Sequence, residues 1–370
     1  MFREIPEIGR AKVQGAAVVN CTRSKRHHFV PQFHLGRFTP GLKSRRLRVW
    51  VYDKSTDAIA ERPVMDTAVI SNYYTIPGPH GPTDELERQL ASIEDEAANA
   101  LRRLSSVPDG RLVLAEDDRV VLSAYLALLH VRVPATRKAS EALLAFLHYV
   151  SLDVQFAVEE GFPERARERG LAGSDQELEA LRVRMLAQLR GGDVTVDVQE
   201  TASLSTLKMA FEDIAPILYA MPWFILKRRR FPFFVIGDCP VTLWPATDHP
   251  PDTGVGFLSP GAEVAVAIDA HTMLVAKHDG AGGVVMDPDL TPQSYDTLMR
   301  LDWVYAYNYR TWVAAERFVY ARSQADLAAM CTFLSQEERM RRRVSLALDT
   351  VGAQWGLYGK RAIDAVLGTQ

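Results

Sequence analysis

Cysteine is scarce in this chain: Cys21, Cys239 and Cys331 are its only three, far apart and odd in number. That excludes a cysteine-rich zinc module and fits a reducing compartment. Long apolar runs are missing as well, since none approaches the roughly 18 to 20 residues that span a bilayer. The opening Met1-Phe2-Arg3-Glu4-Ile5-Pro6 lacks the apolar stretch of a secretory signal, so a cytoplasmic protein is expected. Charge is nearly balanced. A net charge of -3 excludes a chain coated in cations for non-specific nucleic-acid binding, while leaving room for a local basic patch. Neither an internal repeat nor a clean linker is visible.

What is present is a chain of 370 residues with 47% hydrophobic side chains, able to bury one large core or two modest ones. Its densest chemistry lies in Lys25-Arg26-His27-His28-Phe29-Val30-Pro31-Gln32-Phe33-His34-Leu35-Gly36-Arg37-Phe38, which holds three of the nine histidines. Residues 1–24 before it show no sustained period and read as an irregular lead-in. After the turn at Thr39-Pro40-Gly41, the alternation in Arg46 to Tyr52 predicts a strand, with a second through Ala58 and Ile59.

Helical spacing dominates the middle of the chain. Leu86, Leu90, Ile93, Ala97, Leu101 and Leu104 recur every three or four residues behind a Thr83 cap. Further helices are expected from Glu116 to Val131, from Thr136 towards Val158, behind the Ser174–Glu177 capping box, and from about Ser203 to Tyr219. Thr195 to Val198 reads either as a strand or as an approach to the last of these. Trp223 to Leu226 and Phe233 to Ile236 are β-prone and predict two strands of one small sheet, joined by Lys227-Arg228-Arg229-Arg230. Ala262–Ile268 and His271–Ala276 add further strands. From Pro292 the pattern is helical through Leu298 and Val304, continuing to Val313, Glu316, Arg317 and Tyr320. The fold expected is α+β, predominantly helical, with a small mixed or antiparallel sheet. Residues 25–330 are expected to form a single domain with its helical layer at about 84–220, and 331–370 a C-terminal helical extension.

Three groups of residues carry candidate chemistry. His28 and His34 with a distant Asp238 are candidate ligands of a divalent metal, although their spacing matches no standard zinc signature. His27, His28, Asp238 and Glu316 are candidate acids, bases or ligand-orienting groups. Lys25, Arg26, Gln32, Arg37 and Asn308 are candidate substrate-binding residues, the cations for phosphate or carboxylate. Each has a structural alternative. The histidines serve equally as hydrogen-bonded supports in a rigid loop, Asp238 as a cap on the following turn, and the aromatic-rich segment around Asn308 as packing. Lys227 to Arg230 either joins the other cations or sits on a solvated turn, the usual place for such a run. Glu212, Asp213 and His271 are polar candidates without distinctive spacing.

The segment Arg26-His27-His28-Phe29-Val30-Pro31-Gln32-Phe33-His34-Leu35-Gly36-Arg37-Phe38 resembles the opening signature of DUF4238, a bacterial and fungal family of unknown function. Gly237-Asp238-Cys239-Pro240 is similar to the family's Ser-Asp-Asn-Pro element. Leu258-Ser259-Pro260, Asn308 and Ala315-Glu316-Arg317-Phe318-Val319 resemble its later ones. The chain departs at Gly237 and Cys239, where the family tends to have Ser and Asn. The resemblance implies a shared site assembled from these motifs and no established activity.

Two functions are expected from these residues. One is a metal-assisted hydrolase of a phosphodiester or phosphoester, with Arg26 and Arg37 stabilising phosphate charge. The other is a module binding a phosphate-containing small molecule or nucleic acid without turnover. A scaffold in which the motifs lock sheet to helices is the third reading.

Overall fold

The computed structural model describes residues 26–41, 47–73, 85–106, 114–158, 160–191, 202–246, 255–277 and 301–341. The lead-in to Lys25, Thr83, Thr195 to Val198, Pro292 to Leu298 and the tail from 342 lie outside the described residues, as do the expectations made for them. The fold is α+β and mostly helical, and every strand pairing among the described residues is antiparallel.

Among the described residues, two four-stranded sheets and a two-stranded ribbon organise the fold. The ribbon joins β1 (Arg26–His28) to β4 (Val69–Ser71). One sheet runs β3 (Ala58–Pro63), β2 (Arg48–Asp53), β10 (Phe318–Ala321) and β6 (Ile236–Gly237). The other runs β5 (Trp223–Lys227), β9 (Thr272–Lys277), β8 (Glu263–Asp269) and β7 (Thr242–Trp244). Val264, Val266 and Ile268 of β8 enter one core, while Ala265 and Ala267 enter another. Both faces of the strand are covered, which is why it is apolar through its middle where a half-exposed strand would alternate.

The helices are α1 (Gln32–Leu35), α2 (Glu85–Ser106), α3 (Glu116–Val131), α4 (Pro134–Ala157), α5 (Phe162–Glu168), α6 (Asp175–Gly191), α7 (Ala202–Met209), α8 (Ala215–Ala220), α9 (Leu301–Ala314), α10 (Gln324–Phe333) and α11 (Gln336–Met340). A π-helical turn, Ala210–Ile214, joins α7 to α8. The apolar stripe of α2 buries Leu90, Ala97, Leu101 and Leu104 against α3 and the sheet, as its spacing predicts. Pro134 both ends the approach from α3 and starts α4, where its missing N–H costs nothing. At the start of α6, Ser174 and Glu177 exchange the hydrogen bonds of a capping box. No helix of the described residues is long and apolar enough to cross a membrane.

Two expected elements differ. Phe233 to Ile236 does not pair with Trp223 to Leu226: only Ile236–Gly237 is strand, and it joins the other sheet, beside β10. The reason lies in Asn308, whose amide takes the N–H of Val235 and donates to the carbonyl of Phe233, occupying that backbone from the side. The C-terminal helix also stops at Ala314, and Phe318–Ala321 is a strand. Val313, Glu316 and Tyr320 satisfy helical spacing, but Asp238 binds the backbone amides of residues 316, 317 and 318 and turns the chain. Asn308 and Glu316 are therefore not on one helix.

Candidate functional site

The histidine-rich motif folds as β1, a proline turn and α1, and its side chains tie neighbouring elements together. His27 is fully buried in β1. His28 donates from Nε2 to the Met65 carbonyl at 3.2 Å and receives Gln32 at Nδ1 at 3.4 Å. Burial, with Arg26 and Arg132 nearby, lowers its affinity for a proton. His34 is completely enclosed. Its Nε2 donates to the Ala267 carbonyl at 2.9 Å, and its Nδ1 accepts from the Tyr125 hydroxyl at 2.7 Å. Burial pulls its pKa down to about 4, against the Ala267 bond, so the ring is neutral. Arg26 pairs with Asp66 at 2.7 Å, and Arg132 links Glu94 to the His28 carbonyl. Lys25 lies outside the described residues.

Asp238 ends β6 on the edge of its sheet. Its Oδ1 accepts the Glu316 amide at 2.8 Å, and Oδ2 those of Arg317 and Phe318 at 2.8 and 2.9 Å. Burial raises its pKa even though these amides and the Lys54 charge favour the carboxylate. Gly237 before it is set by close approach: a Cβ there would lie 3.0 Å from that of Ala315. The buried Lys54 ammonium donates to the carbonyls of Trp312, Ala315 and Arg341 at 2.5, 2.6 and 2.8 Å, and burial draws its pKa down to about 8. Glu316 itself pairs with Lys138 at 3.2 Å, and Arg317 makes two bonds to Asp53.

Asp238 and the Glu316 backbone thus meet, but the side chains of His27, His28, His34, Asp238 and Glu316 are not gathered round one point. Among the described residues no group of three or more His, Cys, Asp or Glu is placed to hold a metal ion. Both nitrogens of His34 and both oxygens of Asp238 are taken by other partners, so this donor set does not fit a resident metal.

The sequence from residue 26 to residue 325 matches the model of a family described as "Protein of unknown function (DUF4238)". The chain belongs to the DUF4238 family. No curated protein and no solved structure matches it. In this DUF4238 member, the histidine-rich motif and Asp238 with residues 316–318 are points at which sheets and helices are tied.

Arg37, from the same motif, leads elsewhere. It lines a half-open cavity of about 700 Å³ together with Arg102, Lys227, Arg228, Arg229 and Arg322. Arg37 projects from the 3₁₀ turn Gly36–Phe38, Arg102 from the end of α2, residues 227–229 from the end of β5, and Arg322 from beyond β10. Among the described residues, six cations and one carboxylate, Asp269, line it, in a chain whose net charge is -3. Burial favours the protonated form of Asp269, but the Ser105 hydroxyl at 2.6 Å, the His271 amide at 2.8 Å and the charge of Arg37 outweigh it and hold its pKa low.

Part of this set is structural. Arg37 donates to the carbonyls of Ile268 and Leu101 and to Asp269, and Lys227 to those of Leu104 and Ser105, closing the C-terminal end of α2. Arg102 is exposed and gives one Nη to Asn99. His271 donates from Nδ1 to the Arg228 carbonyl at 2.9 Å, which leaves Nε2 to accept from Arg322 at 2.6 Å. That bond, with the face of Phe233 5.6 Å from the guanidinium, fixes where Arg322 sits. Of the run Lys227 to Arg230, residues 227–229 line the cavity with Arg37, while Arg229 and Arg230 are exposed, so the run divides between its two readings. Arg102, within the Arg102-Arg103 pair, and Arg322 gave no sequence signal, standing 220 residues apart.

Proposed function

We propose that this protein binds a phosphate-bearing ligand in the cavity between the end of α2 and the β5–β9 edge. The observation that carries the reading is the convergence of Arg37, Arg102, Lys227, Arg228, Arg229 and Arg322 on one concave site. Like charges drawn from four parts of the chain repel one another, and an arrangement of this kind is stabilised by an anion that takes several of them at once. The volume falls in the range of small-molecule sites. Arginine supplies the forked donors that phosphate oxygens accept in pairs. His271 belongs to the site as a positioning residue, because its ring holds Arg322 in place. Metal-assisted hydrolysis at His27, His28, Asp238 and Glu316 draws no support from the geometry, since these side chains are engaged in separate contacts.

The test is calorimetric titration of the full chain with inorganic pyrophosphate, beside Arg102→Glu and Arg322→Gln variants of unchanged melting temperature. Saturable binding by the parent that weakens at least tenfold in both variants is the expected result. Binding of equal strength in all three proteins would move the ligand out of this cavity and overturn the reading.

A further inference from the structure

We propose that the outward face of α4 is the surface by which two copies of this chain pair, with the two helices antiparallel across a twofold axis.

α4 departs from the usual amphipathic arrangement, in which the apolar stripe faces the protein. On its inward side it meets α6 largely through polar groups. The Tyr149 hydroxyl donates to the Leu189 carbonyl, the fully buried Asp153 takes Arg190 at 2.8 Å, and Arg182 donates to the Phe156 carbonyl at 2.6 Å. The Phe156 ring packs with Phe162, Ala166 and Leu178. On the opposite side Leu143, Leu147, Val154 and Val158, the residue that ends the helix, are 51, 52, 50 and 45% exposed. Single exposed leucines and valines are ordinary on a protein surface. These four stand within about 60° of one another on a helix of 3.6 residues per turn, along a line of about 22 Å, with the half-buried Val150 between them. A continuous apolar stripe of this kind marks a contact surface.

Two features assign that contact to a second copy. The first is charge. From Ala139 to Val158 the side chains charged or titrating near neutral pH are Glu141, His148 and Asp153, and none is on the stripe. Glu141 accepts from Arg137, His148 donates to the Leu144 carbonyl, and Asp153 lies under α6. A partner recognised by charge finds nothing to pair with here, whereas the interfaces of homodimers are the more apolar ones.

The second is symmetry. The spacing of the four residues, four, seven and four, reads the same in both directions. An antiparallel copy with its twofold axis between Val150 and Ser151 sets Leu143 on Val158 and Leu147 on Val154, and each contact is made twice, as an isologous interface requires. Where the helix is rooted fixes its direction. Val133 and Ala135, at the start of α4, are buried in the core, while its end packs on α5 and α6. Antiparallel pairing sets the two bodies at opposite ends of the contact, and a parallel pair would press them side by side. A contact about 22 Å long is at the small end for interfaces, which bury roughly 1,200 Å² or more when stable, so association is expected in the tens of micromolar.

The experiment is sedimentation equilibrium of the full chain from about 1 to 200 µM, a range that brackets such an affinity. Leu147→Lys, Val154→Glu and the double variant are run beside the parent, with helical circular dichroism as the check that each is folded. The parent should pass from monomer to dimer, and each single variant should raise the dissociation constant at least about tenfold, as a charge buried without a partner requires. In the double variant the introduced cation of each copy meets the introduced anion of the other if the helices are antiparallel. The two positions are two turns apart and too distant to pair within one helix. Its dimer should therefore return to within about threefold of the parent's affinity, as restored charge pairs allow. A parent still monomeric at the highest concentration would overturn the proposal, as would dimers undiminished by either single substitution. A double variant as monomeric as the single ones would overturn the antiparallel pairing.

Discussion

At Asp238 the carboxylate does the work of a backbone strand: its two oxygens take three consecutive amides that the chain's own turn leaves without partners. Asp238→Asn replaces one acceptor by an amide donor facing an N–H, and it leaves the Lys54 charge without its counter-charge. A loss of about 3 kcal/mol in urea unfolding is expected. Unchanged stability would mean that the carboxylate is not the anchor of the turn. His34 makes a separate prediction about pH. Its unfolded imidazole takes a proton from about pH 6.5, its folded one only near pH 4. The unfolded chain therefore binds more protons across that window, and stability falls as the pH drops from 6.5 to 4, by about 3 kcal/mol. In urea unfolding at several pH values, the advantage of the parent over His34→Gln should shrink by that amount between pH 7 and pH 4 and then level off. A constant difference would show that His34 titrates alike in both states.

Among the elements, the join between α9 and β10 depends most on one side chain. Lys54 reaches across from the β2–β3 turn to cap the carbonyls of Trp312 and Ala315, and it holds Arg341 after α11 as well. Lys54→Met keeps much of the length but removes the ammonium from three carbonyls, of which Trp312 retains only the Ala315 amide at 3.3 Å, and takes a nearby cation from Asp238. The expected cost is about 3 to 5 kcal/mol in chemical denaturation, the range for breaking a buried charge pair from one side. A cost under about 1 kcal/mol would mean that water replaces the ammonium. The same element explains what periodicity could and could not show. The β2–β3 and β8–β9 hairpins were legible because their pattern and their turns agree. The strand at Phe318–Ala321 was not, because its residues also fit a helix and the amide acceptor that breaks it lies about 80 residues earlier.

For the molecule as a whole, the contrast between a net charge of -3 and a cavity lined by six cations matters most. The attraction is local, so raising salt from about 50 to 200 mM should weaken pyrophosphate binding several-fold, as partial screening of half-open charges requires. Affinity independent of salt would point to a neutral recognition surface. Composition and pattern by themselves determined the fold class, most helices, the family and the roster of polar residues, since these depend on local periodicity and short motifs. Only the tertiary structure decided their use. It spent His34, Asp238 and Asn308 on backbone partners 73 or more residues away, and it brought Arg37, Arg102, residues 227–229 and Arg322 round one cavity. The physical reason is that a buried polar group must find a partner wherever the packed chain supplies one, and sequence spacing carries no record of that distance.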